Sequence, residues 1–120
     1  MKIRIKANSV RFRLTRTEVK TLGENGNLEE RTPFNSSTFV YSVLAQEDLE
    51  QLSASFLYNT IILKVPKNWI RKWNDNEAVG FKNLVRLENG EELSLLLEKD
   101  FACLDNTLED QSDNYPNPKA

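Results

Sequence analysis

The sequence predicts an α+β domain: a mainly antiparallel sheet, or an open barrel, of about seven strands with two short helices. Three observations lead there. Short segments alternate apolar and polar residues, as half-buried strands do. Turn residues such as Asn89-Gly90 separate neighbouring segments by only a few positions, which is hairpin spacing. The chain has 120 residues, 39% of them hydrophobic and 28% charged, with 4 Gly and 4 Pro. That is one domain's worth of chain, long enough to bury a core without a disulfide or metal.

The elements follow in order. In Lys2-Ile3-Arg4-Ile5-Lys6 the apolar residues fall at odd positions, and in Val10-Arg11-Phe12-Arg13-Leu14 at even ones. Ala7-Asn8-Ser9 is short enough to join these strands as a hairpin. Thr15 and Glu18 have capping-box spacing, with Leu14 and Val19 placed as a hydrophobic staple. A helix is expected over about 16–22, stopped by Gly23. Residues 24–27 read as a loop. Thr38 to Leu44 is β-branched and aromatic, hence a strand. Residues 46–52 carry Leu49 and Leu52 three apart and suggest a single helical turn. Ser53 to Leu57 and Thr60 to Val65 flank Tyr58-Asn59 as a second hairpin, ended by Pro66. Pro66 also suits a helix start, and Trp69, Ile70 and Trp73 would form that helix's buried side. Residues 79–88 and 91–101 flank Asn89-Gly90, whose composition predicts a type I′ turn. No internal repeat stands out. The domain is expected over 1–104, with an acidic, Pro/Asn-rich tail over 105–120 that packs on it.

Charge narrows the function classes. There are 16 basic and 18 acidic side chains, a net charge of -2, and no histidine. Histidine triads and most zinc sites are thereby excluded. A duplex nucleic-acid partner is not expected on this balance. Cys103 is the only cysteine, so no intramolecular disulfide forms, and it reads as a small core residue in a reducing compartment. No signal-peptide core or apolar span is present, which points to a cytoplasmic protein with no membrane partner.

The charge is unevenly placed. Residues 1–20 hold seven basic side chains and one acidic, whereas residues 98–120 hold six acidic and two basic. On a two-faced hairpin, Lys2, Arg4, Lys6, Arg11 and Arg13 all project away from the core. Three readings follow. The face is simply solvated; or the acidic tail, through Glu109, Asp110 and Asp113, lies across it; or it is a site for phosphate, nucleotide or polyanion. Glu98 and Asp100 share a strand face and offer either acid/base chemistry or partners for the basic ribbon. Asp105, Glu109, Asp110 and Asp113 lack calcium-loop spacing, so no metal is expected. There is no phosphate-binding glycine loop or nucleophile elbow, and no cofactor or catalytic residue is assigned.

The runs MKIRIKANSVRFRLTRTEV, VPKNWIRKW, EKDFACLD and DNYPNP together resemble a small uncharacterised bacterial protein family, a domain of unknown function. The resemblance implies a stand-alone single-domain protein and supplies no activity. The expected function is a non-enzymatic binding or interaction module with a cationic hairpin face, its partner a protein or a small anionic ligand. The alternative is an enzyme or carrier for a phosphorylated small molecule in a basic cleft.

Overall fold

The computed structural model describes residues 1–101 and 112–116. The strands are β1 (Lys2–Lys6), β2 (Ser9–Leu14), β3 (Asn27–Pro33), β4 (Thr38–Gln46), β5 (Ser53–Leu57), β6 (Thr60–Pro66), β7 (Gly80–Arg86) and β8 (Glu92–Lys99). The helices are α1 (Arg16–Asn25) and α2 (Lys67–Ile70), and a 3-10 turn spans Trp73–Asp75. They build two four-stranded sheets, ordered β1-β2-β8-β7 and β3-β4-β6-β5. The expectation of one mainly antiparallel sheet or barrel of about seven strands is corrected. Each sheet joins two antiparallel hairpins through a central parallel pair, β2 with β8 and β4 with β6. Hairpins announce themselves through their turns. A parallel pair has no local signature, whether its partners are 20 residues apart, as Val40 and Thr60 are, or 85, as Ser9 and Ser94 are.

The two sheets are versions of one plan. Residues 2–46 and 53–99 each run ββαββ. A shift of 51 positions carries the pairing Lys2↔Arg13 onto Ser53↔Lys64. A shift of 53 to 54 carries Leu28↔Val43 onto Phe81↔Leu97. Each repeat gives one hairpin to each sheet, so the halves interlock about a pseudo-two-fold axis. Between residues 6–14 and 57–65 only Asn8 and Asn59 are identical, while the apolar alternation is kept. The repeat is therefore one of hydropathy and is nearly silent in residue identity.

Strand sense fixes the ends. All four hairpin turns (7–8, 34–37, 58–59 and 87–91) lie at one end, and both helices lie at the other. Between the sheets, Phe12, Leu14, Leu95 and Leu97 meet Val43, Leu63 and Val65, and α1 adds Val19 and Leu22. Burying each such side chain contributes about 1.5–3 kcal/mol. Trp73 is fully buried, and its indole N–H donates to the Ala78 carbonyl at 2.8 Å. Trp69 is half-buried against Phe81, with ring centroids 5.1 Å apart.

Several local expectations change. Helix α1 runs through Gly23 and stops at Gly26, whose φ of +78° lets its N–H reach the Leu22 carbonyl at 2.8 Å. Strand β3 has no counterpart among the expected elements, because its sequence, NLEERTP, is charged and poor in strand formers. It is an edge strand, so only Leu28 and Glu30 turn inward. Residues 47–52 form a turn with positive φ at Asp48 rather than a helix, and buried Leu52 anchors it. The type I′ geometry falls at Tyr58-Asn59, with φ of 51° and 59°. At Asn89-Gly90 only Gly90 has positive φ, in a five-residue loop closed by the Leu87 N–H on the Glu91 carbonyl.

Candidate anion-binding face and apolar cleft

Each candidate cation now has a place. Lys2, Arg4 and Lys6 on β1 and Arg11 and Arg13 on β2 share the outer face of the first sheet. The register sets Arg4 directly opposite Arg11, Lys2 opposite Arg13 and Lys6 opposite Ser9. The first two rows continue through β8 to β7, as Arg4–Arg11–Leu96–Lys82 and Lys2–Arg13–Glu98–Gly80. Lys82 and Arg86 therefore join the same face. Sequence reasoning missed them because the β2–β8 pairing alone brings that distant hairpin alongside. The hydrophobic side of the hairpin is less complete than expected: Phe12 and Leu14 are buried, but Ile5 is 55% exposed.

The two carboxylates expected near the ribbon lie against it. Arg11 Nε is 2.9 Å from Glu98 Oε1, and Lys2 Nζ is 3.4 Å from Asp100 Oδ2. The Arg11 N–H misses alignment with Glu98 Oε1, which is buried without a hydrogen bond. Charge alone holds that contact. Among the described residues no carboxylate lies within ion-pair distance of Arg4, Lys6 or Arg13. A shallow depression of about 240 Å³, lined by Arg4, Lys6, Ser9 and Arg11, opens on the same face.

Of the three tail carboxylates expected on the ribbon, only Asp113 is among the described residues. Asp113 sits at the first turn of α1 rather than over the hairpin. Its carbonyl accepts from the Arg16 N–H at 3.0 Å, and its Oδ1 accepts from Thr17 Oγ1 at 2.9 Å. Hydrogen bonding from Thr15, and then from Thr17, holds the Asp113 carboxyl below its ordinary range. Thr15 also completes a capping box with Glu18, whose second oxygen pairs with the Met1 amino group. Glu109, Asp110, Asp105 and Cys103 lie outside the described residues.

Tyr115 follows Asp113 into the helical end of the fold. Its N–H donates to the Asp100 carbonyl at 2.9 Å, and its hydroxyl donates to Asn74 Oδ1 at 2.8 Å. Burial is the main cause of its raised pKa, about 12. Buried Lys99 lies against this ring and the Trp73 ring, with Nζ 5.0 and 5.8 Å from their centroids. It donates to the Asn76 carbonyl at 2.7 Å, and desolvation, then neighbouring Arg16, lowers its pKa. Both residues serve packing at the helical end. Among the described residues no group of three or more His, Cys, Asp or Glu is gathered as a metal site. No helix among the described residues is long and apolar enough to cross a membrane.

At the opposite end the sheets part. A cleft of about 480 Å³ opens between the hairpin turns, lined almost wholly by apolar side chains, among them Ile5, Val10, Phe39, Phe56, Ile61 and Leu93. Under the repeat these fall into pairs: Ile5 with Phe56, Val10 with Ile61, Phe39 with Leu93. The cleft thus lies on the pseudo-two-fold axis. Phe56 is 67% exposed at its rim.

Comparison with known proteins adds a family and no chemistry. No curated protein and no solved structure matches the chain. A family model does match, over residues 1–119, and the chain belongs to that family, DUF7009, a family of unknown function.

Proposed function

We propose that the protein is a non-enzymatic binding module that receives an anionic ligand on the outer face of the first sheet. One observation carries this reading. Arg4, Lys6 and Arg13 have no carboxylate partner among the described residues, although Arg4 and Arg13 each stand directly opposite another cation. Like charges opposed across strands destabilise a sheet by up to about 1 kcal/mol, so the arrangement is costly unless an anion offsets it. Clustered guanidinium groups suit phosphate or carboxylate. The engagement of Glu98 with Arg11 and of Asp100 with Lys2 favours binding over acid/base catalysis.

Calorimetric titration with tripolyphosphate tests the reading. The wild type should bind, more weakly as salt rises. Arg4→Gln with Arg13→Gln should lose about tenfold or more in affinity, since charge-assisted hydrogen bonds contribute roughly 1.5–3 kcal/mol. Equal binding by the variant, or none by the wild type, removes the proposal.

A further inference from the structure

The cleft and the basic face meet at one hairpin. Ile5 and Val10 point into the cleft, whereas Lys6, Arg4 and Arg11 stand on the other side of the same two strands. Strand β1 is an edge strand, so nothing in its own sheet separates cleft from cations there. The volume falls in the roughly 300–1,000 Å³ range of small-molecule sites.

Symmetry gives the site a direction. Six of the nine lining residues fall into matched pairs between the repeats, and Ala54, Ser55 and Leu87 do not. The charges on the far side of the cleft's edge hairpins are not matched: Lys6 corresponds to Leu57, and Arg4 to Ser55. A wholly apolar ligand would gain nothing from that difference, and a simple anion would gain nothing from the cleft. We infer that the site takes a single-chain amphiphile, its alkyl chain between the sheets and its anionic head on Lys6 and Arg4. A long-chain carboxylate has this chemistry. The inference rests on the anionic reading above and names its ligand class.

The test titrates the full chain with hexanoate, octanoate and decanoate below their micelle concentrations, with decanol as the neutral control. Each added methylene should raise affinity about fourfold, because burying one contributes about 0.8 kcal/mol. Phe56→Ser, at an exposed rim position, should weaken decanoate and decanol alike. Arg4→Ser with Lys6→Leu copies the other hairpin and should bring decanoate affinity down to that of decanol.

Equal binding of decanoate and decanol by the wild type overturns the inference in favour of a neutral ligand. Binding to anionic vesicles without binding of monomeric decanoate overturns it in favour of a membrane surface. A dimer whose formation is abolished by Phe56→Ser, with no decanoate bound, assigns the cleft to a second copy of the chain. Tripolyphosphate binding with no decanoate binding sinks this inference and leaves the anion-binding module standing. Failure of both ligands sinks both.

Discussion

The outer faces of the two sheets occupy equivalent places in the repeat and differ sharply in charge. Three cross-strand rows of the first sheet read Lys2–Arg13–Glu98–Gly80, Arg4–Arg11–Leu96–Lys82 and Lys6–Ser9–Ser94–Leu84. The matching rows of the second read Ser53–Lys64–Leu44–Asn27, Ser55–Ile62–Ser42–Glu29 and Leu57–Thr60–Val40–Arg31. The first set holds six cations and one carboxylate, and the second holds two cations and one carboxylate. Both sheets fold to one register, so folding does not demand the basic face. A feature that one repeat needs and its twin does without is where function is best sought.

The largest expected effect falls where the repeats differ in backbone packing. An added Cβ at Gly80 would lie 2.3 Å from the Leu97 carbonyl oxygen and 2.8 Å from Glu98 Cα, both fixed backbone atoms. Its counterpart is Asn27, which carries a side chain on an exposed strand end. Gly80→Ala should destabilise by about 3 kcal/mol or more, by overpacking that flexible atoms cannot relieve. Asn27→Ala should stay within about 0.5 kcal/mol, as ordinary surface changes do. Urea unfolding of both variants measures the contrast. Similar losses at the two sites would mean that the repeats are equivalent here after all.

The next effect concerns the helical ends. Helix α1 has a capping box and the Asp113–Tyr115 segment docked on it, whereas α2 has no side-chain cap. Tyr115 titrates near 12 in the fold and near 10 when unfolded. Its contribution is fully present below pH 10 and is lost as pH rises through about 12. The full loss should be about 3 kcal/mol, from a shift of about two at 1.36 kcal/mol per unit. Lys99 has the opposite sign: its lowered pKa costs stability while it is protonated, and that cost fades as pH rises towards 10.5. Burial also raises the Tyr41 pKa, so stability measured from pH 9 to 12 in a Tyr41→Phe, Lys99→Met background isolates Tyr115. Tyr115→Phe in that background should abolish the alkaline slope in that range. A slope that survives assigns it to other groups.

What could be read from the sequence follows from where each signal lives. The capping box at Thr15 and Glu18, the hairpins and the apolar faces at Phe12, Leu14 and Trp73 all rest on neighbours within a few positions. The five hairpin cations were legible for the same reason, since alternation alone places them on one side. The parallel seams, the repeat and Lys82 were not, because each depends on pairing between distant strands. Strand β3 was hidden by its own composition: an edge strand with one apolar residue facing inward has no period to detect. The apolar cleft was invisible because its lining comes from six strands and a loop, one residue from each except three from β5.

The smallest effect tests the comparison itself, through charge alone. Arg4 faces Arg11 across the first sheet, whereas Ser55, at the equivalent place, faces Ile62. Arg4→Gln keeps most of the side-chain length and removes one of two opposed cations. It should raise stability by about 0.5 kcal/mol in dilute buffer, within the range for cross-strand pairs. In 1 M salt, where screening acts over about 3 Å, the gain should vanish. Ser55→Arg puts a cation opposite an aliphatic residue and should leave stability unchanged at either salt concentration. A stabilising Arg4→Gln that also weakens tripolyphosphate binding would tie the strain to the ligand, because the charge that costs the fold stability is then the charge that binds. Should Arg4→Gln instead lose stability in dilute buffer, Arg4 would be serving the fold, and the contrast between the two faces would no longer point to a site.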